Sequence, residues 1–159
     1  MSEVNNRLQE ASQHLKVADA LIKKSLLWVK EQCLGGKGVS GEKLDGHQMA
    51  SFDLAWCAAE ATTARFAVEY AGKVIADSQA SGASLCLEEQ MTLVFCAEAL
   101  QNIRNRFAAR PQSFGLGEGD IALLDASVLT RFCRTQLDAG NLEALDRQVI
   151  AMDGASGVY

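Results

Sequence analysis

Apolar residues at Val4, Leu8, Ala11, Leu15, Ala18, Ile22, Leu26, Val29 and Cys33 follow one another at intervals of three or four. An α-helix completes a turn in slightly under four residues, so this spacing gathers all of these side chains on one helical face. A strand would need alternation at every second residue, which the run lacks. The first element is therefore predicted to be one long amphipathic helix. Gly35 and Gly36 end it, since glycine tolerates the positive φ that many helix C-termini adopt. Lys23, Lys24 and Lys30 lie where the helix dipole favours cations.

The rhythm returns three times. After a polar link from Gly38 to Gly46, the residues Phe52, Trp56, Ala59, Thr63, Phe66, Tyr70 and Val74 predict a second long helix ending near Ser78. Its flanks carry Ala55, Ala58, Ala64, Ala67 and Ala71, small residues that let neighbouring backbones approach closely. We expect this helix to be central, with its aromatic stripe in the core. A turn from Ser78 to Ser84 leads to a third helix bearing Leu93, Cys96, Leu100, Ile103 and Phe107. Pro111 ends it and keeps Arg110 out of helical geometry. The glycine-rich stretch Pro111 to Gly119 precedes a fourth helix, capped by Asp120, carrying Ile121, Leu124, Val128, Phe132 and Leu137, and closed by Gly140. A short fifth segment starts with Asn141 as cap and carries Leu142, Leu145, Val149 and Ile150. Short links between long helices favour antiparallel neighbours. The expected fold is all-α: an up-and-down antiparallel bundle of four long helices plus a short fifth, one domain over residues 1–152, with a flexible tail at 153–159.

Several function classes are disfavoured at this level. A chain of 159 residues is long enough to bury roughly 70% of its unfolded surface in one core. Net charge is −5 and the charges of both signs are interleaved, so no basic face is available to neutralise a phosphate backbone, and nucleic acid is not an expected partner. The apolar stretches Ala55 to Ala59 and Met91 to Ala97 are too short to span a bilayer, and the residues Met1 to Gln13 are too polar for a signal peptide. Five cysteines, Cys33, Cys57, Cys86, Cys96 and Cys133, stand singly within helical pattern and read as reduced core thiols of a cytoplasmic protein.

The chemistry-bearing residues are sparse. A carboxylate-bridged metal in a bundle needs Glu-x-x-His pairs, whereas His14 and His47 are the only histidines and neither follows a glutamate by three. No metal is expected, and Asp53, Glu60, Glu69 and Glu98 are expected to be partly exposed or paired with an arginine such as Arg65 or Arg104. No nucleophile–base–orienter set suggests itself, so no catalytic residue is assigned. The glycines Gly115 to Gly119 lack both the preceding strand and the Gly-Lys-Ser/Thr of a phosphate loop. Arg104, Arg106 and Arg110 form a basic end to the third helix and are the candidate contact for an anion or a partner. An anionic small ligand such as CoA would meet the chain there.

The run His47-Gln48-Met49-Ala50-Ser51-Phe52-Asp53-Leu54-Ala55-Trp56-Cys57-Ala58-Ala59-Glu60, followed by Ala64-Arg65 and Glu69-Tyr70-Ala71, resembles the helical domain of acyl-CoA dehydrogenases. It is most similar to the helical extension that precedes the dehydrogenase core in methylsuccinyl-CoA dehydrogenase-like proteins. That pattern also resembles Met91-Thr92-Leu93-Val94-Phe95-Cys96-Ala97-Glu98-Ala99-Leu100 and the turn Ser113-Phe114-Gly115-Leu116-Gly117. The similarity covers Leu44 to Ile121. The flavin-contacting β-domain and the active-site carboxylate with its glycine-rich signature have no counterpart here. The resemblance thus implies a noncatalytic auxiliary or oligomerisation domain that binds no cofactor itself, FAD residing in a partner or separate catalytic core. Its partner would be a second copy or a dehydrogenase-like catalytic subunit. The alternative is a free-standing interaction bundle, unconnected to acyl-CoA chemistry, that holds a peptide in a groove lined by Trp28 and Trp56.

Overall fold

The computed structural model describes residues 3–36, 38–81 and 87–151, with side chains at 6–36, 38–77 and 87–151. The predicted tail at 153–159, the end of the Ser78 to Ser84 turn and Cys86 lie outside the described residues. The described chain is all-α apart from one two-residue hairpin. The first helix, α1, is Glu3–Gln32, and Leu8, Ala11, Leu15, Ala18, Ile22, Val29 and Cys33 of its predicted face are buried. Leu26 is not, because the face drifts by one position and Ser25 takes its place in the core.

The glycines after α1 do not simply cap it. Strands β1 (Leu34–Gly35) and β2 (Gly38–Val39) pair antiparallel, with Leu34 opposite Val39. Gly38 stands at φ 116°, a conformation that side chains other than glycine rarely adopt. Ser40 then caps a short helix α2 (Gly41–Gly46), its Oγ accepting from the Lys43 N–H. The expected polar link is therefore a built corner. It delivers the chain into α3 (Gln48–Ser81), which runs three residues past its predicted end.

Helix α4 is Leu87–Ala109, and Pro111, which has no N–H to continue the ladder, opens the 3-10 turn Pro111–Phe114. The predicted fourth helix is two helices: α5 (Glu118–Leu124) and α6 (Ser127–Gln136). The helix breaks at Asp125 and Ala126. Ala126 is extended at ψ 135°, and the Asp125 side chain, at the end of α5, accepts from Arg104 Nε at 2.7 Å. Resetting the phase turns Val128 outward and brings Leu129, Phe132 and Cys133 into the core. Asp120 sits one turn inside α5, where its Oδ2 accepts from the Gly117 N–H at 2.8 Å. Gly140 and Asn141, expected to end one helix and begin the next, both lie within α7 (Ala139–Ala151).

Cross-links between helices give their directions. Thr92, Asn102 and Arg106 of α4 meet Ala67, Glu60 and Asp53 of α3 in turn, so these two run antiparallel. Cys133 to Ala97 and Asp125 to Arg104 do the same for the α5–α6 arm against α4. Arg65 with Asp19 ties α3 to α1, and His14 against Phe132 brings α6 to α1. Helices α1 and α4 form the middle of the bundle, with α3 on one side of them and α5–α6 on the other; α7 crosses α4 and α6.

The central helix is thus α4, not α3 as the alanine-rich flanks suggested. Leu93, Val94, Cys96, Ala97, Ala99, Leu100, Ile103 and Phe107 take up more than half of its circumference, and all are buried, while Glu98, Gln101, Asn102 and Asn105 keep the remaining face in solvent. The inward face of α3 consists of Ala50, Leu54, Cys57, Ala61, Ala64, Ala71 and Ile75. Small residues do line a close helix–helix contact, but on one side only. The Cys96 thiol, 3.8 Å from the Ala64 carbonyl oxygen, marks that closeness.

Candidate docking interface

Facing away from the bundle, α3 carries a second apolar stripe. Met49, Phe52, Trp56, Phe66 and Tyr70 keep between 44% (Tyr70) and 63% (Phe66) of their surface in solvent. Ala59 and Thr63, exposed as well, complete the spacing between Trp56 and Phe66. The stripe assigned to the core from sequence is therefore the outer face of the helix. Residues 49, 52, 56, 59, 63, 66 and 70 repeat at intervals of three and four, the geometry of a seam between two helices. Isolated exposed apolar residues are ordinary on a soluble protein; a continuous row is the arrangement that makes this face a candidate contact surface.

Part of the row is held in place from beneath. Phe52 and Trp56 meet edge to face, with ring centroids 6.3 Å apart. The Arg106 guanidinium lies over the Trp56 ring at 5.9 Å from its centre. Arg106 is held in turn by Asp53, a buried carboxylate on the neighbouring turn of α3, whose Oδ1 accepts from Arg106 Nη1 at 2.8 Å. The other oxygen of Asp53 accepts from Arg110 Nη2. A tryptophan restrained by an arginine and a second aromatic loses little side-chain entropy when something docks on it.

The three arginines singled out from sequence do not converge on one site. Arg106 and Arg110 come together on Asp53, while Arg104 points to the other side of α4 and pairs with Asp125 at 2.7 Å. A helical step of two residues separates Arg104 from Arg106 by about half a turn, which is why their sequence proximity misleads. Each guanidinium has a carboxylate from within the chain. Arg104 also borders a groove of about 590 Å³ near α6, together with Asp125, Arg134 and Asp138, where charges of both signs alternate.

Trp28 and Trp56 belong to different surfaces. Trp28 lines a cavity of about 360 Å³ with His47, Met49, Arg110 and Ser113. Its indole meets the His47 ring at 6.1 Å and closes over Gly115, at φ 64°, where an added Cβ would come within 2.2 Å of the indole. His47 ends α2 and places Nδ1 2.9 Å from the Lys43 carbonyl oxygen. Both features are structural: an aromatic lid on a turn that only glycine permits.

The titratable groups are placed as core or surface groups. Burial pushes the thiols of Cys57 and Cys96 up to about 12 and that of Cys133 to about 11, so they remain protonated and unreactive at neutral pH. His14 is drawn below its ordinary value by burial, with Glu10 acting in the opposite sense. Fully buried Glu89 is pushed up by burial, Arg7 at 2.8 Å acting in the opposite sense. Glu60 accepts from Asn102 at 3.1 Å, and Glu69 and Glu98 are exposed. Among the described residues, no three His, Cys, Asp or Glu side chains are grouped so as to hold a metal ion, and no helix is long and apolar enough to cross a membrane.

No protein-family model matches the chain, and no curated protein matches it.

Proposed function

We propose that this chain is a noncatalytic helical module whose work is assembly, and that it serves an acyl-CoA dehydrogenase-like flavoenzyme. The observation that carries the docking part is the outer face of α3, where Phe52, Trp56, Phe66 and Tyr70 stand in one row with Trp56 restrained by Arg106. Trp, Tyr and Arg are the residue types that dominate binding energy at protein interfaces. The flavoenzyme part rests on the resemblance of residues 44–121 to the helical parts of acyl-CoA dehydrogenases. In this reading FAD and the catalytic carboxylate belong to the partner, and this chain contributes packing surface.

The test is recovery of the tagged chain from its native cell, followed by identification of what accompanies it. A co-purifying protein with a flavin absorption spectrum and dye-linked acyl-CoA oxidation supports the proposal, provided that Phe66→Glu lowers its yield at least about tenfold. Acyl-CoA oxidation by the isolated chain overturns it. The same face also suits a free-standing interaction bundle, which a partner lacking flavin and acyl-CoA activity would identify.

A further inference from the structure

We infer that the outer face of α3 is covered by a second copy of the same chain, the two α3 helices running antiparallel about a two-fold axis at the level of Ala61. This rests on reading that face as an interface, and is independent of the flavoenzyme.

Size argues first. Large side chains expose roughly 150–250 Å² when free, so five of them at about half exposure leave roughly 500 Å² per copy. Two copies together give roughly 1,000 Å² before Ala59, Thr63 and the flanks are counted, the lower bound of a specific dimer interface. A two-fold interface must be complementary to itself, and the row satisfies this in one register. Setting Phe52 of one copy opposite Tyr70 of the other places Trp56 opposite Phe66 and Ala59 opposite Thr63. Small residues then meet at the centre, where the helices must approach closely, and aromatic pairs meet at both ends.

Charge favours the same direction. Lys73, the next seam position after Tyr70, faces Met49 in the antiparallel arrangement; a parallel pair would set Lys73 against Lys73, which repel. Glu60, the acid nearest the axis, is turned toward α4: Oε1 accepts from Asn102 and Oε2 is out of solvent. The face is thus apolar along its middle.

The test uses the purified full chain. At about 100 μM, light scattering should give twice the 17.1 kDa of one chain, and Phe66→Glu should raise the dissociation constant at least about tenfold with an unchanged circular dichroism spectrum. Direction is read with Ala59→Cys and Thr63→Cys, each in a Cys86→Ser background where the other cysteines are buried. Mixing the two variants should yield a disulfide dimer that neither forms alone. Dimers that form equally within each variant, or a dimer indifferent to Phe66→Glu, overturn the inference. A monomeric chain that still loses its flavoprotein through Phe66→Glu overturns self-pairing and leaves the docking proposal standing. A monomer whose partners ignore that substitution overturns both.

Discussion

Helices α3 and α4 lie side by side and antiparallel. What α4 leaves in solvent is mostly polar, Glu98, Gln101, Asn102 and Asn105, whereas α3 leaves aromatic side chains outside. On α4, an apolar arc of more than half the circumference meets α1, α3, α5 and α6. On α3, small residues such as Ala61 and Ala64 meet the bundle while Phe52, Trp56 and Phe66 look outward. The contrast teaches that an apolar circumference says only that a helix expects neighbours on several sides. It does not say that those neighbours belong to the same chain.

The sharpest way to break the contrast is at its best-covered point. Phe107→Ala on α4, where the ring is fully buried against Phe114, should cost about 3–5 kcal/mol in urea unfolding. A loss no larger than that of an exposed phenylalanine would mean that α4 is not the centre. Next comes the turn that closes α4. Gly115→Ala introduces a side chain at a left-handed φ and against Trp28, and a loss of about 2–5 kcal/mol is expected from backbone strain plus overpacking. Restoring stability with Trp28→Ala in the same chain would show how much of the loss is steric.

Asp53→Ala tests the tie between the two helices. It leaves Arg106 and Arg110 without their shared carboxylate; both arginines reach solvent, so the loss should be moderate, about 1–3 kcal/mol. The Trp56 emission spectrum should shift as Arg106 is freed from its place over the indole. Glu89, where α4 begins, gives a pH test. Because burial raises its pKa in the folded chain, the folded state binds the proton more tightly than the unfolded one, and wild-type stability should rise relative to Glu89→Gln as pH falls from neutral through the folded pKa. A gap between the two melting temperatures that does not change with pH would contradict this. The smallest effect belongs to the outer face: Phe66→Ala should alter monomer stability by no more than about 0.5 kcal/mol, whatever it does to assembly.

Much of the fold was legible in the residues. The intervals in α1 foretold the buried face from Leu8 to Cys33, apart from Leu26. Pro111 did keep Arg110 out of helical geometry, so that α4 stops at Ala109, and the long helices do run up and down. The broken fourth helix was missed because Ile121, Leu124, Val128 and Phe132 keep helical spacing across Asp125 and Ala126. At the break Asp125 pairs with Arg104, some twenty residues away in sequence, a contact that helical spacing does not reveal. The candidate arginines were adjacent as letters, yet Arg104 stands apart from Arg106 and Arg110 once the helix is wound.

The outer face of α3 shows the division most clearly. Local sequence determined that residues 48–81 are helical and that two opposite stripes, one small and one aromatic, run along them, because periodicity is a property of neighbouring residues. Which stripe would be buried was decided only by tertiary packing. Ala61 and Ala64 admit the close approach of α1 and α4 that the bulk of Trp56 and Phe66 would prevent, and that choice depends on the shape of helices far along the chain.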